Sequence, residues 1–170
     1  MTNKEIERKF LVRDRSVLQG RPGVPIVQGY PIKEHGHMTM RVRIVGEHAF
    51  LTLKSPVHGL TRDEFEYPIP LADARTLIAC HCDHRIIRKT RYEVPYRGQR
   101  FEVDVFEGVH QGLVVAELEL AHEAQRILRP DWLGDEVSHD RRYGNFSLAL
   151  AEQARALGVM PLPRPDERAA

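Results

Sequence analysis

In Glu5-Ile6-Glu7-Arg8-Lys9, residues 5, 7 and 9 fall on one face of an extended chain and Ile6 and Phe10 on the other. Two carboxylates and an ammonium then stand in a row, with same-face neighbours about 6.8 Å apart. That spacing lets both carboxylates share one hydrated divalent cation when a ligand supplies further oxygens. The same two-residue grammar recurs down the chain. Arg41 and Arg43 oppose Met40, Val42 and Ile44, Thr52 and Lys54 oppose Leu51 and Leu53, and Lys89 and Arg91 repeat the pattern. The acidic counterparts are Glu64 and Glu66 beside Arg62, Glu102 and Asp104 against Phe101, Val103 and Val105, and Glu117 and Glu119 against Leu118 and Leu120. A single such doublet is usually the solvated face of a sheet. A closed sheet that turned all of them inward would instead supply cations for a polyphosphate and carboxylates for the Mg2+ that accompanies it.

The doublets sit on alternating apolar and polar blocks, which predict strands over 5–12, 26–32, 38–45, 49–55, 61–69, 85–94, 100–106 and 113–120. Gly46, Gly59, Pro68, Pro70, Gly98, Gly108 and Gly112 punctuate them as hairpins. Helical periodicity is confined to 71–79 and 146–157, the second with Phe146, Leu150, Ala154 and Leu157 on one face and Asn145 as its expected N-cap. Strands adjacent in sequence and joined by short turns form an antiparallel sheet, and eight of them without a second set imply a barrel. The expected class is α+β, an eight-stranded antiparallel β-barrel with flanking helices. One domain over 1–160 precedes an expected flexible tail at 161–170, where three prolines break any periodicity.

Composition narrows the chemistry. The 170 residues carry 25 Lys and Arg against 24 Asp and Glu, a net charge of +1, with 42% hydrophobic and 7% aromatic residues. A nucleic-acid barrel would show a basic excess and aromatics on its polar faces, so no nucleic-acid partner is expected. No apolar run reaches membrane-spanning length and charge begins at Lys4, so neither a span nor a secretory signal is expected, and the location read is cytoplasmic. Cys80 and Cys82 are expected as reduced thiols. Cys80-His81-Cys82-Asp83-His84 contains zinc-type ligands but has no second pair, so it reads as a helix-to-strand connection. Glu34-His35-Gly36-His37 reads as a hairpin tip, and Trp132 and Leu133 as packing residues.

The ordered series Glu5-x-Glu7-x-Lys9, Gln28-Gly29-Tyr30, Arg41-Val42-Arg43, Thr52-Leu53-Lys54, Arg62-x-Glu64-x-Glu66, Lys89-Thr90-Arg91-Tyr92, Asp104, Glu117-Leu118-Glu119, Pro130-x-Trp132-Leu133-Gly134-x-Glu136-Val137 and Asp140-x-x-Tyr143-x-Asn145 resembles the CYTH domains, or triphosphate tunnel metalloenzymes. It departs only slightly, at Pro31 and at Ser138-His139. The resemblance implies the short stand-alone bacterial form, an open eight-stranded tunnel and inward-pointing charge. It also implies that Lys9, Arg41, Arg43, Lys54, Lys89 and Arg91 cradle a triphosphate and that Glu5, Glu7, Glu117 and Glu119 hold Mg2+ or Mn2+. Glu64, Glu66 and Asp104 complete a second metal site or orient the basic residues, and Lys9 with Tyr30 is the implied water-activating pair. The implied activity is hydrolysis of inorganic tripolyphosphate to pyrophosphate and phosphate. Alternatives within the family are a class IV adenylate cyclase and a thiamine triphosphatase, and outside it a non-catalytic polyphosphate- or nucleotide-binding module. The expected partner is the small-molecule triphosphate, and a homodimer is compatible with a small barrel of this kind.

Overall fold

The computed structural model describes residues 3–31 and 38–159. Nine strands follow one another as β1 (Lys4–Val12), β2 (Gly23–Gly29), β3 (Thr39–Val45), β4 (His48–Lys54), β5 (Thr61–Pro68), β6 (Ile86–Tyr96), β7 (Gln99–Phe106), β8 (Val114–Glu119) and β9 (Leu133–Glu136). Helix α1 (Leu71–His81) lies between β5 and β6, and α2 (Asn145–Ala156) follows β9. The lateral order is β5-β4-β3-β2-β6-β7-β8-β1, all antiparallel, and a further β5–β1 pairing closes the barrel. Two-residue turns set the tightest hairpins. At Arg97-Gly98 both residues have positive φ, 47° and 79°, the twist that matches right-handed strands.

Eight predicted strands therefore exist, with shifted ends. β2 runs 23–29, and Ile32 and the 34–37 segment lie outside the described residues. Two features depart from the sequence reading. β9 is an added strand: β5 leaves β1 after Ile6, and Leu133–Glu136 takes up the same edge at Phe10 and Val12. Asn145 is the first residue of α2 rather than its N-cap; Gly144 holds that place in extended conformation, with no side-chain cap.

The barrel is inverted relative to an ordinary core. Val42, Ala49, Ala74, Ile78 and Cys82 bury the outer wall of β3 and β4 under α1. Here Gly29 lets the helix end approach, since a Cβ would lie 2.5 Å from Cys82 Sγ. Phe10, Val94, Phe101, Val103, Ala116 and Leu118 are covered on another side by the chain around Val17, Ile127 and Trp132. The third apolar cluster stoppers one end. Two residues beyond Lys9, Lys89, Asp104 and Glu117, the same inward faces carry Leu11, Ile87, Phe106 and Val115, which pack with Tyr30, Tyr143, Leu148 and Ala149 beneath α2. No helix among the described residues is long and apolar enough to cross a membrane.

Candidate active site

With the apolar faces turned outward, the charged doublets line the interior. Two cavities of about 620 and 700 Å³ share Glu7, Arg41, Lys54, Arg62 and Asn145 in their walls and so form one passage. One mouth lies by Arg43, Glu66, Arg100, Glu102, Glu119 and Gln125. The other opens where β5 and β9 part, between Leu60, Arg62 and Ser138.

Register decides who meets whom. On β1, Lys9 lies opposite Glu117 of β8, and Glu7 opposite Glu119. Lys9 Nζ contacts Glu117 and lies 2.9 Å from Glu7. Burial alone would lower the Lys9 ammonium, but those two carboxylates outweigh it and hold it above the usual range. On the other edge of β1, Arg62 donates to Glu5 and, at 3.1 Å, to Glu7. Lys54 Nζ reaches Glu5 at 2.9 Å and Glu64 at 3.1 Å. Burial works to raise the Glu5 carboxyl, yet Lys54 and Arg62 hold it well below the carboxylate range, while burial and the Glu5 charge push Glu64 up.

Further round the wall, Arg41 reaches Thr52, Glu64 and Glu66 at 3.2–3.3 Å, and Arg43 donates twice to Glu66 at 2.9 Å. Thr52 Oγ1 donates to Glu66 at 2.7 Å. Arg91 clasps Asp104 with both arms of its guanidinium at 2.7 and 2.6 Å and reaches Glu117 at 2.9 Å. Lys89 is buried on Asp104, with Asn145 Oδ1 at 3.5 Å, and its ammonium is pushed down to about 8 chiefly by burial and then by Arg91, against the pull of Asp104. Lys89 and Asp104 stand behind the passage rather than in its lining. Tyr30 is buried, lines the second cavity and accepts a 3.0 Å hydrogen bond from Gln28 Nε2; burial raises its hydroxyl to about 12.

All fourteen residues singled out from the sequence thus gather in or behind one passage. Arg62, Asn145, Thr52, Glu102 and Gln28 join them without having been named as site residues. Arg62 carried a signal, since it shares the alternation of Glu64 and Glu66. Asn145 carried one that pointed elsewhere, because an Asn before a helical run also reads as a cap. The 80–84 cluster is the end of α1 and a turn, as expected, and among the described residues no three carboxylate, histidine or cysteine side chains converge on a metal-sized point.

Carboxylates do meet in pairs. Glu7 and Glu119 lie directly across a strand pair, and Glu5 and Glu64 share the Lys54 ammonium, an arrangement that like charges disfavour unless a proton or cation sits between them. Such hard-oxygen pairs fit an ion that keeps several waters and completes its shell with phosphate oxygens.

Residues 3–154 match the family model of the CYTH domain. An inorganic triphosphatase of Acetivibrio thermocellus is 39% identical over 145 residues, 85% of this chain and 92% of that protein. An inorganic triphosphatase of Nitrosomonas europaea is 40% identical over 152 residues, 86% of this chain and 97% of that protein. The crystal structure of an inorganic triphosphatase superposes with a TM-score of 0.65 at 38% identity, covering 86% of this chain and 94% of that one.

Proposed function

The chain belongs to the CYTH domain family, and from that premise we propose that it hydrolyses inorganic triphosphate to pyrophosphate and phosphate with a divalent metal, Mg2+ or Mn2+. The observation that carries this reading is the self-neutralised wall. Nearly every cation of the passage is already paired with a carboxylate. A triphosphate brings about four negative charges, and such a wall accepts them only if counter-charge enters too. Glu5, Glu7, Glu117 and Glu119 would hold the metal, with Glu64 beside Glu5. When bound, the ion supplies charge neutralisation on phosphoryl oxygens and on the leaving group.

The remaining steps belong to the chain itself. Arg41, Arg43, Lys54, Arg62 and Arg91 line the passage and bind the phosphates, with Lys89 behind them. The buried Nε–H groups of Arg41 and Arg43 donate to nothing among the described residues. Glu66 and Asp104 orient these cations. Lys9 and Tyr30 flank the second cavity and form the pair assigned to the attacking water. In the substrate-free wall Lys9 is an ammonium, so it serves as a base only once Glu7 and Glu117 are drawn from it.

Purified protein offered tripolyphosphate, ATP and thiamine triphosphate with Mg2+ or Mn2+ tests the substrate. We expect phosphate and pyrophosphate in equal amounts from tripolyphosphate, at a kcat/KM well above the other two. Cyclic AMP from ATP, or tight binding without turnover, would replace this reading with a cyclase or a binding module.

A further inference from the structure

Gln28 places a neutral amide on the inner face of β2, 1% exposed, with Ile26 on the same face. An aliphatic side chain would fill this place without the desolvation that a half-satisfied amide suffers. Nε2 donates to Tyr30 Oη at 3.0 Å, and Oε1 has no partner among the described residues. The rest of Tyr30 is fixed without Gln28. Its N–H donates to Arg85 O at 3.0 Å, its carbonyl accepts from Arg85 Nε at 2.9 Å, and its ring meets Phe146 edge-on at 5.2 Å. One freedom is left, the direction of the hydroxyl hydrogen. A phenol oxygen that accepts from an amide sends its own hydrogen elsewhere. Tyr30 shares the second cavity with Lys9, Arg41 and Arg62.

We propose that Gln28 is a positioning residue, whose amide N–H occupies the Tyr30 oxygen and so aims the Tyr30 hydroxyl hydrogen into the passage, toward the bound triphosphate and the water that attacks it. This rests on the triphosphatase reading for the identity of the ligand. Burial keeps Tyr30 neutral, and therefore a donor, across physiological pH.

A double-mutant cycle tests it. Gln28→Leu and Gln28→Met both remove the donor, the second keeping the length of the side chain. Each is made alone and together with Tyr30→Phe. Affinity for a non-hydrolysable imidotriphosphate is measured by calorimetry with Mg2+ present, kcat and KM for tripolyphosphate with the same ion, and melting temperature alongside. With Tyr30 present, both substitutions weaken affinity and kcat/KM about five- to tenfold, with no fall in melting temperature for Gln28→Leu; in the Tyr30→Phe background, neither adds a further loss. Equal losses in both backgrounds, or none in either, would overturn the proposal, and Gln28→Met decides the matter should the leucine variant fail to fold. Coupling in affinity from a wild-type protein that releases no phosphate would sink the triphosphatase reading alone. Turnover by wild type without coupling would sink the role of Gln28 alone.

Discussion

Asp104 and Glu119 alternate with apolar neighbours in the same way, yet the structure gives them opposite surroundings. The Asp104 side chain is 1% exposed and clasped by Lys89 and Arg91. Glu119 is exposed at the first mouth, with no side-chain hydrogen bond or ion pair among the described residues. Removing the buried carboxylate strands two cations, so Asp104→Ala should cost about 3–5 kcal/mol of stability. Glu119→Gln should leave the melting curve within about 0.5 kcal/mol of wild type and lower metal-dependent turnover about a hundredfold. Thermal melts and phosphate release on the two variants check the contrast; a stable Asp104→Ala protein, or an active Glu119→Gln one, contradicts it. Strand alternation placed both carboxylates on polar faces, and the resemblance to the CYTH domains made them site candidates. It could not say which was a brace and which stood free, because that depends on cross-strand partners such as Arg91 that sequence spacing does not locate.

The weakest joint of the barrel is its closing seam, where β1 and β5 share only the pairs Lys4–Asp63, Glu5–Arg62 and Ile6–Thr61. Glu5 reinforces it through Arg62 and Lys54, and its carboxyl is held below the ordinary value of 4.5 by those cations against the effect of burial. A depressed folded-state value means that this contribution is complete above about pH 4.5 and is lost as pH falls through the lowered value. Glu5→Gln should therefore destabilise the protein by about 2 kcal/mol at pH 7, with the difference from wild type shrinking below about pH 4. Unfolding curves at pH 7 and pH 3 measure it, and a penalty that stays constant with pH would refute the role of the Glu5 charge. Of the elements, the eight barrel strands and both helices were readable from periodicity and turn residues. β9 was not, because Leu133-Gly134-Asp135-Glu136 has a single apolar side chain and forms only where β5 leaves an edge of β1 open. The misplaced cap of α2 has a similar origin: Asn145 faces Lys89, a partner 56 residues away.

For the molecule as a whole, the decisive property is which side of the sheet faces in, and alternation is blind to it. Resemblance to the CYTH domains supplied the answer, and the three apolar clusters give its physical basis. Two coat the outside under α1 and the 120–132 segment, and the third seals one end beneath α2. That leaves a passage whose cations and carboxylates nearly cancel, stable when empty and receptive to a highly charged anion only in company with a cation. Metal-dependent turnover is thus the central claim, and phosphate release from tripolyphosphate by the chelator-treated protein, with Mg2+ or Mn2+ then added back, tests it most directly. No release in the chelator and full release on adding either ion is the predicted result; turnover that persists without divalent metal, or its absence with both ions, would contradict the account.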